Sequence, residues 1–257
     1  MNIQRKYRNG LLISRGIEWT DATWTPCAGC KHRCRWLMPD GKIAKCYAET
    51  CAEGLASKAY PNGFAFHYWH PERLHEPLKV EKSLKIFTDS MSDFGGYWVP
   101  REQRLQVIGV MEKASWHVFQ TLTKNPKGLL GYYFPPNVWV GLSTPPDYMW
   151  GHKLSEEQRI RKLEIDLTTM YEIHASTKWV SIEPLSWDVA PHFEECSLEW
   201  AVIGAASNGR IKYQPEQKHL QSILSTLDKQ SIPIFMKGNL KHSPHREEFP
   251  RLYRQEG

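Results

Sequence analysis

The feature that most constrains the fold is an alternation of short apolar segments with longer amphipathic ones. Seven segments rich in β-branched or aromatic residues end in polar residues, Gly or Pro, which predicts strands. They are residues 17–25, 84–90, 117–124, 138–144, 178–185, 200–207 and 232–238. Helical spacing of apolar residues predicts helices over residues 101–114, 155–165, 167–175 and 215–230. Strands alternating with helices form right-handed βαβ units, so we expect an α/β fold with a parallel sheet.

Seven such strands predict a complete or partial (βα) TIM-type barrel. The chain has 257 residues, of which 41% are hydrophobic, and this is enough to bury one core. We therefore predict a single (βα)-barrel domain over residues 1–257, with a cysteine-rich metal loop at residues 27–46. The sequence has no apolar run of transmembrane length and no signal peptide pattern, so we expect a cytoplasmic protein without a membrane partner.

The cysteines are crowded into one part of the chain. Five of the six lie within residues 24–56, which indicates a metal site rather than a disulfide framework. Cys27, Cys30, Cys34 and Cys46 are separated by two, three and eleven residues. Thiolates spaced in this way can hold Zn²⁺ with four ligands. Alternatively, three of them hold a [4Fe-4S] cluster and leave one iron open for chemistry. The spacing leaves both sites open.

The segment between the last two of these cysteines contains a turn signal. Residues 39–41 read PDG and are flanked by apolar residues, which predicts a small hairpin over the metal site. Residues 46–60 have helical spacing and predict a helix whose N-terminus presents Cys46, where the helix dipole stabilises a thiolate. Cys51 points to another side of that helix, and we predict a packed thiol.

Several motifs resemble those of a known group of enzymes. Residues 29–34 read GCKHRC, which is similar to the GC-x-H-x-C opening of radical S-adenosylmethionine (radical SAM) enzymes of the spore photoproduct lyase type. Residues 46–49 read CYAE and resemble a displaced third-ligand segment. With IEWTDATW at 17–24, SMSD at 90–93 and LTKNP at 122–126, the chain resembles a phage-associated three-Cys-motif family of unknown function.

The resemblance implies a [4Fe-4S] cluster on Cys30, Cys34 and Cys46, with S-adenosylmethionine (SAM) as a second cofactor. The eleven residues between Cys34 and Cys46 depart from the usual short spacing. The residue before the third cysteine is also unusual, because an aromatic side chain commonly packs against adenine there.

That position holds Lys45 in this chain. Tyr47 or Trp36 would have to take the place of the missing aromatic side chain. The adenine contact is therefore expected on a neighbouring residue of the same segment.

Function in a (βα) barrel lies at the carboxyl ends of the strands. By position, we predict seven cofactor-binding residues: Tyr47, Ser90, Ser92, Asp93, Lys124, Glu183 and Ser207. We predict three catalytic residues: Asp93, Lys124 and Glu183. The alternative for each is a structural role in a loop or a cap.

Three classes of function stay open. The leading one is a radical SAM-type enzyme that generates a 5′-deoxyadenosyl radical, acts on DNA, RNA or a modified nucleobase, and needs an electron donor. The second is a non-catalytic nucleic-acid-binding protein with a structural zinc on the four clustered cysteines. The third is a metal hydrolase that uses the three predicted catalytic residues. A net charge of +5 suits a polyanionic partner or an ordinary basic surface. No pattern indicates the oligomeric state.

Overall fold

The computed structural model describes residues 1–8, 11–194, 196–208 and 211–251. Its largest sheet has eight strands, and neighbours in the parallel part follow the chain order. The parallel strands are β1 (Ala22–Trp24), β2 (Lys85–Thr88), β3 (Val118–Thr123), β4 (Val138–Ser143), β5 (Thr177–Ile182), β6 (Trp200–Ile203) and β7 (Ile234–Met236). The strand Asn2–Ile3 pairs antiparallel with β1 at one edge.

Four α-helices connect or cover the strands. They are α1 (Tyr47–Glu53), α2 (Arg101–Lys113), α3 (Glu156–Glu172) and α4 (Gln217–Lys229). Single 3-10 turns lie at Ser57–Ala59, Pro71–Arg73, Pro77–Lys79, Pro126–Leu129 and Ala190–Phe193. The start of α3 is fixed by a capping box, in which Ser155 and Gln158 each bind the other's backbone N–H.

Short antiparallel pairs stand outside the main sheet. They join Arg5–Arg8 to Leu11–Arg15, Cys27–Ala28 to Tyr68–Trp69, Arg35–Leu37 to Ile43–Lys45, Tyr148–Met149 to His152–Lys153, and Ala206–Asn208 to Ile211–Tyr213. The strand Tyr148–Met149 also pairs with the strand Arg35–Leu37. These two pairs of short strands therefore form a second, smaller sheet of four strands.

The sequence-based prediction of a mixed α/β fold with a large parallel sheet is confirmed, since each predicted strand overlaps an observed one. Two helix predictions need correction. The helices predicted over 155–165 and 167–175 are one helix, α3 (Glu156–Glu172). The helix predicted over 46–60 ends at Glu53, because Gly54 follows it. Among the described residues no sheet closes, since the eight-stranded sheet has two free edges. A closed TIM-type barrel is therefore not confirmed.

The two faces of the main sheet bury different side chains. One face packs against α2, α3 and α4 through aliphatic residues of the strands and helices. The opposite face carries a second cluster, here called the aromatic layer: Trp19, Phe87, Trp139, Trp179, Trp200, Val202 and Phe235. Its rings meet edge to face or tilted, for example Trp179 against Trp200 with 5.0 Å between centroids. The aromatic layer thus packs on the face of the sheet opposite α2, α3 and α4.

Polar side chains follow the aromatic layer along the same strands. Successive side chains of a strand point to opposite faces, so residues two apart share a face. From Trp179 this rule leads to Ser181 and Glu183. Applied to the neighbouring strands, it defines a strand-end layer: Lys124, Ser143, Ser181, Glu183 and Lys237. At Gly141 a Cβ would lie 2.3 Å from the Trp179 ring, so only glycine fits between the two layers on β4.

In the part of the chain that the structure describes, none of the helices combines the length and the apolar character needed to cross a membrane.

Candidate functional site

The cysteine loop begins where β1 ends. The backbone of Gly29 donates to the Met91 carbonyl, and that of Cys30 donates to the Phe64 carbonyl, both at 2.8 Å. Gly29 has φ +87°, and a Cβ there would lie 1.8 Å from the Phe66 carbonyl oxygen. This close approach explains why glycine precedes the first ligand of the motif.

The predicted hairpin is present, and it explains how eleven residues can separate Cys34 from Cys46 in the sequence without separating them in space. Its strands Arg35–Leu37 and Ile43–Lys45 pair antiparallel, with Arg35 opposite Lys45. Cys34 and Cys46 flank this pair directly, so the chain leaves and re-enters the site at neighbouring positions. Residues opposite each other in such a pair have Cα atoms about 4.5–5.5 Å apart. Cys46 is also the residue that caps α1. The eleven-residue segment therefore folds outward and does not spread the cysteines apart.

Cys30, Cys34 and Cys46 interact electrostatically with one another and with Lys124. Burial raises the pKa of Cys30 well above its usual value, and the charges of Asp93, Cys34 and Cys46 add to this effect. Burial likewise raises the pKa of Cys34 to about 12, although the Lys124 ammonium opposes it. For Lys124, burial lowers the pKa, but the charges of Cys34, Cys46, Asp93 and Cys30 outweigh it and the pKa rises. Metal binding here must displace thiol protons, and Lys124 favours their loss.

The remaining cysteines have other partners. The Cys27 thiol hydrogen-bonds to the buried carboxyl of Asp89, and burial raises the pKa of both groups well above their usual values. Cys51 hydrogen-bonds to the Tyr47 hydroxyl, which raises the pKa of that tyrosine. The Cys196 thiol donates to the His192 carbonyl at 3.2 Å. Cys27 therefore does not share the charge contacts of the three-cysteine group.

No group of three or more His, Cys, Asp or Glu side chains in the described residues is arranged to hold a single metal ion. Cys30, Cys34 and Cys46 are nevertheless close enough for their charges to affect one another's pKa values. In a [4Fe-4S] cluster each thiolate binds a different iron, whereas a zinc ion draws its thiolates to about 2.3 Å from one centre.

Asp93 is buried beneath the cysteine loop and accepts hydrogen bonds from several donors. His32 Nε2 lies 2.7 Å from it, the Gly95 N–H 2.9 Å, the Lys124 N–H 2.8 Å and the Thr123 hydroxyl 2.5 Å. Burial raises the pKa of Asp93, but the charge of His32 and these hydrogen bonds outweigh it and lower the pKa to about 2. The carboxylate thus ties the loop between Cys30 and Cys34 to the ends of β2 and β3.

A cleft of about 260 Å³ opens beside the three-cysteine group at the carboxyl ends of the strands. One wall comes from the hairpin and the start of α1: Trp36, Met38, Ala44, Lys45 and Tyr47. The other wall consists of Pro184, Ala205, Ala206, Ser207 and Asn239. The floor holds Leu122 and the strand-end layer. Lys124 Nζ lies 6.0 Å from the centre of the Trp36 ring, so the floor and the hairpin wall meet beside the cysteines.

An ion pair crosses the floor of the cleft at the far end from the cysteines. Lys237 Nζ lies 2.6 Å from Glu183 Oε1, and the Ser181 hydroxyl donates to Glu183 Oε2 at 3.0 Å. The Glu183 carboxylate raises the pKa of Lys237 more than burial lowers it. Both charged side chains remain about one quarter exposed. The cleft therefore has one carboxylate and three ammonium groups in its lining, which suits a ligand with charges of both signs.

The structure brings four of the seven predicted cofactor-binding residues to the cleft: Tyr47, Lys124, Glu183 and Ser207. Ser90, Ser92 and Asp93 do not line it. The Ser92 hydroxyl donates to the Gly29 carbonyl at 2.8 Å, and that of Ser90 lies 3.5 Å from the Thr25 hydroxyl. These residues contact the base of the cysteine loop.

The sequence also places Lys237 and Ser143 among the polar residues at strand ends, and both line the cleft. Asn239 is a cleft residue that sequence reasoning missed. Asn239 binds the backbone of Ala205 through both atoms of its amide, and no sequence signal indicates that contact.

A large, mostly parallel sheet with helices on one face and a polar cleft at its strand ends defines an α/β protein with a cleft at the edge where such sheets commonly bind ligands. Within that class, the chain belongs to the family described as protein of unknown function (DUF5131), which matches residues 14–249. The description names no activity and no phage, so the phage association stays a prediction. No curated protein matches the chain.

Several solved structures are similar in fold. A mutant of spore photoproduct lyase with bound AdoMet and dinucleoside spore photoproduct has 11% identity and a TM-score of 0.48, over 83% of this chain and 63% of that one. Spore photoproduct lyase complexed with dinucleoside spore photoproduct has 10% identity and a TM-score of 0.44, over 79% and 59%. Another mutant has 10% identity and a TM-score of 0.48, over 86% and 65%. The chain spans less than two thirds of each of these structures.

Proposed function

We propose that this protein is a radical SAM-type iron-sulfur enzyme. Cys30, Cys34 and Cys46 would each ligate one iron of a [4Fe-4S] cluster, and the cleft would hold SAM. When bound and reduced, the cluster supplies the electron that cleaves SAM to a 5′-deoxyadenosyl radical. The protein supplies ligands, orientation and a partly dry cavity.

One observation carries this proposal. The hairpin pairs Arg35 with Lys45, so Cys34 and Cys46 lie together despite the long segment between them. Cys30 joins them in one electrostatic group with Lys124, and Lys124 lines the strand-end cleft. Three thiols beside a ligand cleft support a cluster with one iron left for a ligand, because a purely structural site needs no cleft.

The cleft residues support distinct roles in ligand binding. Glu183 and Lys237 present opposite charges suited to the amino and carboxylate groups of SAM, and Ser207 and Tyr47 offer hydroxyls on opposite walls. Lys124 lowers the cost of collecting negative thiolates. For Asp93, its four donors support a role in holding the cysteine loop. Its direct participation in catalysis stays a prediction, as do the catalytic roles of Lys124 and Glu183.

As substrate class we propose a nucleic acid or a modified nucleobase. The net charge of +5 favours a polyanion. At the cleft, the exposed ring of Tyr47 is available for base contacts, and Lys45, which is paired with Glu53, adds a positive charge. The reaction also requires an electron donor, and a reducing compartment such as the cytoplasm suits six free cysteines.

The alternatives have less support. A four-cysteine zinc site would need Cys27, but its thiol is hydrogen-bonded to Asp89. A hydrolase built on Asp93, Glu183 and Lys124 would need Asp93 to reach the substrate, and Asp93 does not line the cleft. Purified protein that contains zinc and no iron would favour one of these two alternatives over the iron-sulfur enzyme.

The test is anaerobic reconstitution with iron and sulfide, followed by metal analysis and visible absorption. Wild-type protein should bind about four irons per chain, and so should Cys27→Ala and Cys51→Ala. Cys46→Ala should lose most of its iron and its absorption near the visible charge-transfer bands. Equal iron binding by Cys46→Ala and Cys51→Ala would refute the ligand assignment, since both residues lie at α1 and differ only in their partners.

A further inference from the structure

An ion pair between the hairpin and α1 lies next to two of the three clustered cysteines. The Arg35 guanidinium binds both carboxylate oxygens of Glu49, with 2.9 Å between Nη2 and Oε1. The same guanidinium donates from Nη1 to the Cys34 carbonyl at 2.8 Å. The side chains are 23% and 14% exposed. Two-point binding at a partly buried site fixes the orientation of both groups.

The two partners of this ion pair lie close in sequence to the two cysteines. Arg35 follows Cys34 directly and lies opposite Lys45, the residue before Cys46. Glu49 lies in the first turn of α1, three residues after Cys46. The pair therefore connects the chain just after one cysteine to the chain just after the other, and its third contact reaches the backbone of Cys34 itself.

A second ion pair joins the same two elements and serves as a comparison. Lys45 Nζ lies 2.7 Å from Glu53 Oε2. Both side chains are about half exposed, and Lys45 binds no other group in the structure's described residues. Exposed lysine pairs contribute little, because solvent screens them and the lysine chain loses entropy. The two pairs thus share their elements and charges but differ in geometry and in contact with a cysteine.

We propose that Arg35 and Glu49 are positioning residues that set the separation of Cys34 and Cys46 before any metal binds. The hairpin brings the two cysteines to neighbouring positions, and the Arg35–Glu49 pair fixes the start of α1 against the backbone of Cys34. Without this contact, more of the ordering would fall to the metal. If the two cysteines are already held in place, metal binding costs less conformational entropy. The inference rests on the proposed function for the identity of the metal, while its geometric part concerns the metal-free chain.

The geometric part is tested by cross-linking in the metal-free protein. A chain with Cys34 and Cys46 as its remaining cysteines is treated with dibromobimane, which fluoresces when it joins two nearby thiols. Arg35→Met and Glu49→Gln should each slow cross-linking at least about fivefold, whereas the matched variants Lys45→Met and Glu53→Gln should stay within about twofold. The exchanged pair Arg35→Glu with Glu49→Arg should recover part of the rate. Equal rates in all four single variants would overturn the proposal.

Metal loading in the chain with all its cysteines gives the second readout. After anaerobic reconstitution, Arg35→Met should bind less iron than Lys45→Met, with the thermal unfolding midpoint of each recorded to check the fold. Arg35→Lys should not restore loading, because lysine cannot bind both carboxylate oxygens.

The two proposals fail in different ways. If wild type binds no iron but cross-linking depends on Arg35, the positioning role stands and the cluster is refuted. If wild type binds iron, and Arg35→Met loads and cross-links like Lys45→Met, the cluster stands and the positioning role is refuted.

Discussion

The aromatic layer and the strand-end layer share the same strands and the same face of the sheet, but their side chains are opposite in kind. In the first, Trp139, Trp179 and Trp200 are almost fully buried and contact one another. In the second, Glu183 and Lys237 carry charges and remain partly exposed. The step from one layer to the other is two to four residues. If the cleft binds a ligand as proposed, stability and ligand binding depend on different levels of the same strands, and substitutions in the two layers should have separate effects.

The largest loss of stability is expected in the aromatic layer. Trp200→Ala removes a buried ring that contacts Trp19, Trp139 and Trp179, and should lower the free energy of unfolding by about 3–5 kcal/mol. Urea unfolding followed by circular dichroism measures this. Tyr133→Ala is the control, because its side chain is 72% exposed and should change stability by about 0.5 kcal/mol or less. Similar losses of unfolding free energy in both variants would contradict the claim that the aromatic layer contributes most to stability.

Asp93→Asn sharpens the comparison, because this residue lies near the strand ends but outside the cleft. The amide cannot accept all four hydrogen bonds, and it leaves His32 and neighbouring N–H groups poorly paired, so stability at pH 7 should fall by about 3 kcal/mol. Unfolding free energy measured against pH is the test.

The pH dependence of that loss has a definite sign. The pKa of Asp93 is lowered to about 2 in the folded protein, so its contribution is present above the unfolded value of about 3.9 and is lost as pH falls towards 2. The gap between wild type and Asp93→Asn should therefore narrow below pH 4. A gap that stays constant down to pH 2.5 would contradict the charged state assigned to Asp93.

Gly141→Ala tests the boundary between the layers. A Cβ there would lie 2.3 Å from the Trp179 ring, and overpacking should cost about 1–3 kcal/mol. Gly109→Ala in α2 is the matched control. Nothing lies within 4 Å of its Cβ, so removing a helical glycine should stabilise by about 0.5–1 kcal/mol. The opposite signs of the two changes appear directly in urea midpoints, and a stabilising Gly141→Ala would place the Trp179 ring elsewhere.

The smallest effect on stability, with the clearest effect on binding, is expected in the strand-end layer. Glu183→Gln keeps the shape of the side chain but loses the charge beside Lys237, and should change the unfolding free energy by about 1 kcal/mol. Binding of SAM, measured by calorimetry on reconstituted protein, should weaken about tenfold or more, because a charged hydrogen bond is lost. Glu216→Gln removes a surface pair with Lys218 and should leave binding unchanged. Equal affinities in both variants would remove Glu183 from the site.

The strands of the main sheet were predictable because each is short, apolar and followed by polar residues or turns. The split of α3 into two helices was a wrong prediction. Asp166, which lies between the two predicted helices, is buried within α3 and binds Lys162. The end of α1 was also missed, because alanines at helical spacing continue past Gly54 while the chain turns. Whether the sheet closes depends on the twist between distant strands, which local sequence does not encode.

The candidate site was predictable in its ligands but not in its geometry. The PDG turn predicted the hairpin, yet the juxtaposition of Cys34 with Cys46 follows from the register of Arg35 and Lys45. Register depends on contacts across the strands, including the contact of Arg35 with Glu49, and no local pattern announces it. Likewise, the polar residues at strand ends were visible in the sequence. Their division into cleft residues and supports of the cysteine loop required the structure.

The most direct test of the proposed chemistry is electron paramagnetic resonance of the reconstituted, reduced protein with and without SAM. If the three-cysteine group holds a [4Fe-4S] cluster with one open iron beside the cleft, the reduced protein should give a cluster signal whose g values shift when SAM is added. A cluster signal that SAM leaves unchanged, or a protein that holds zinc and gives no signal, would contradict the proposed function.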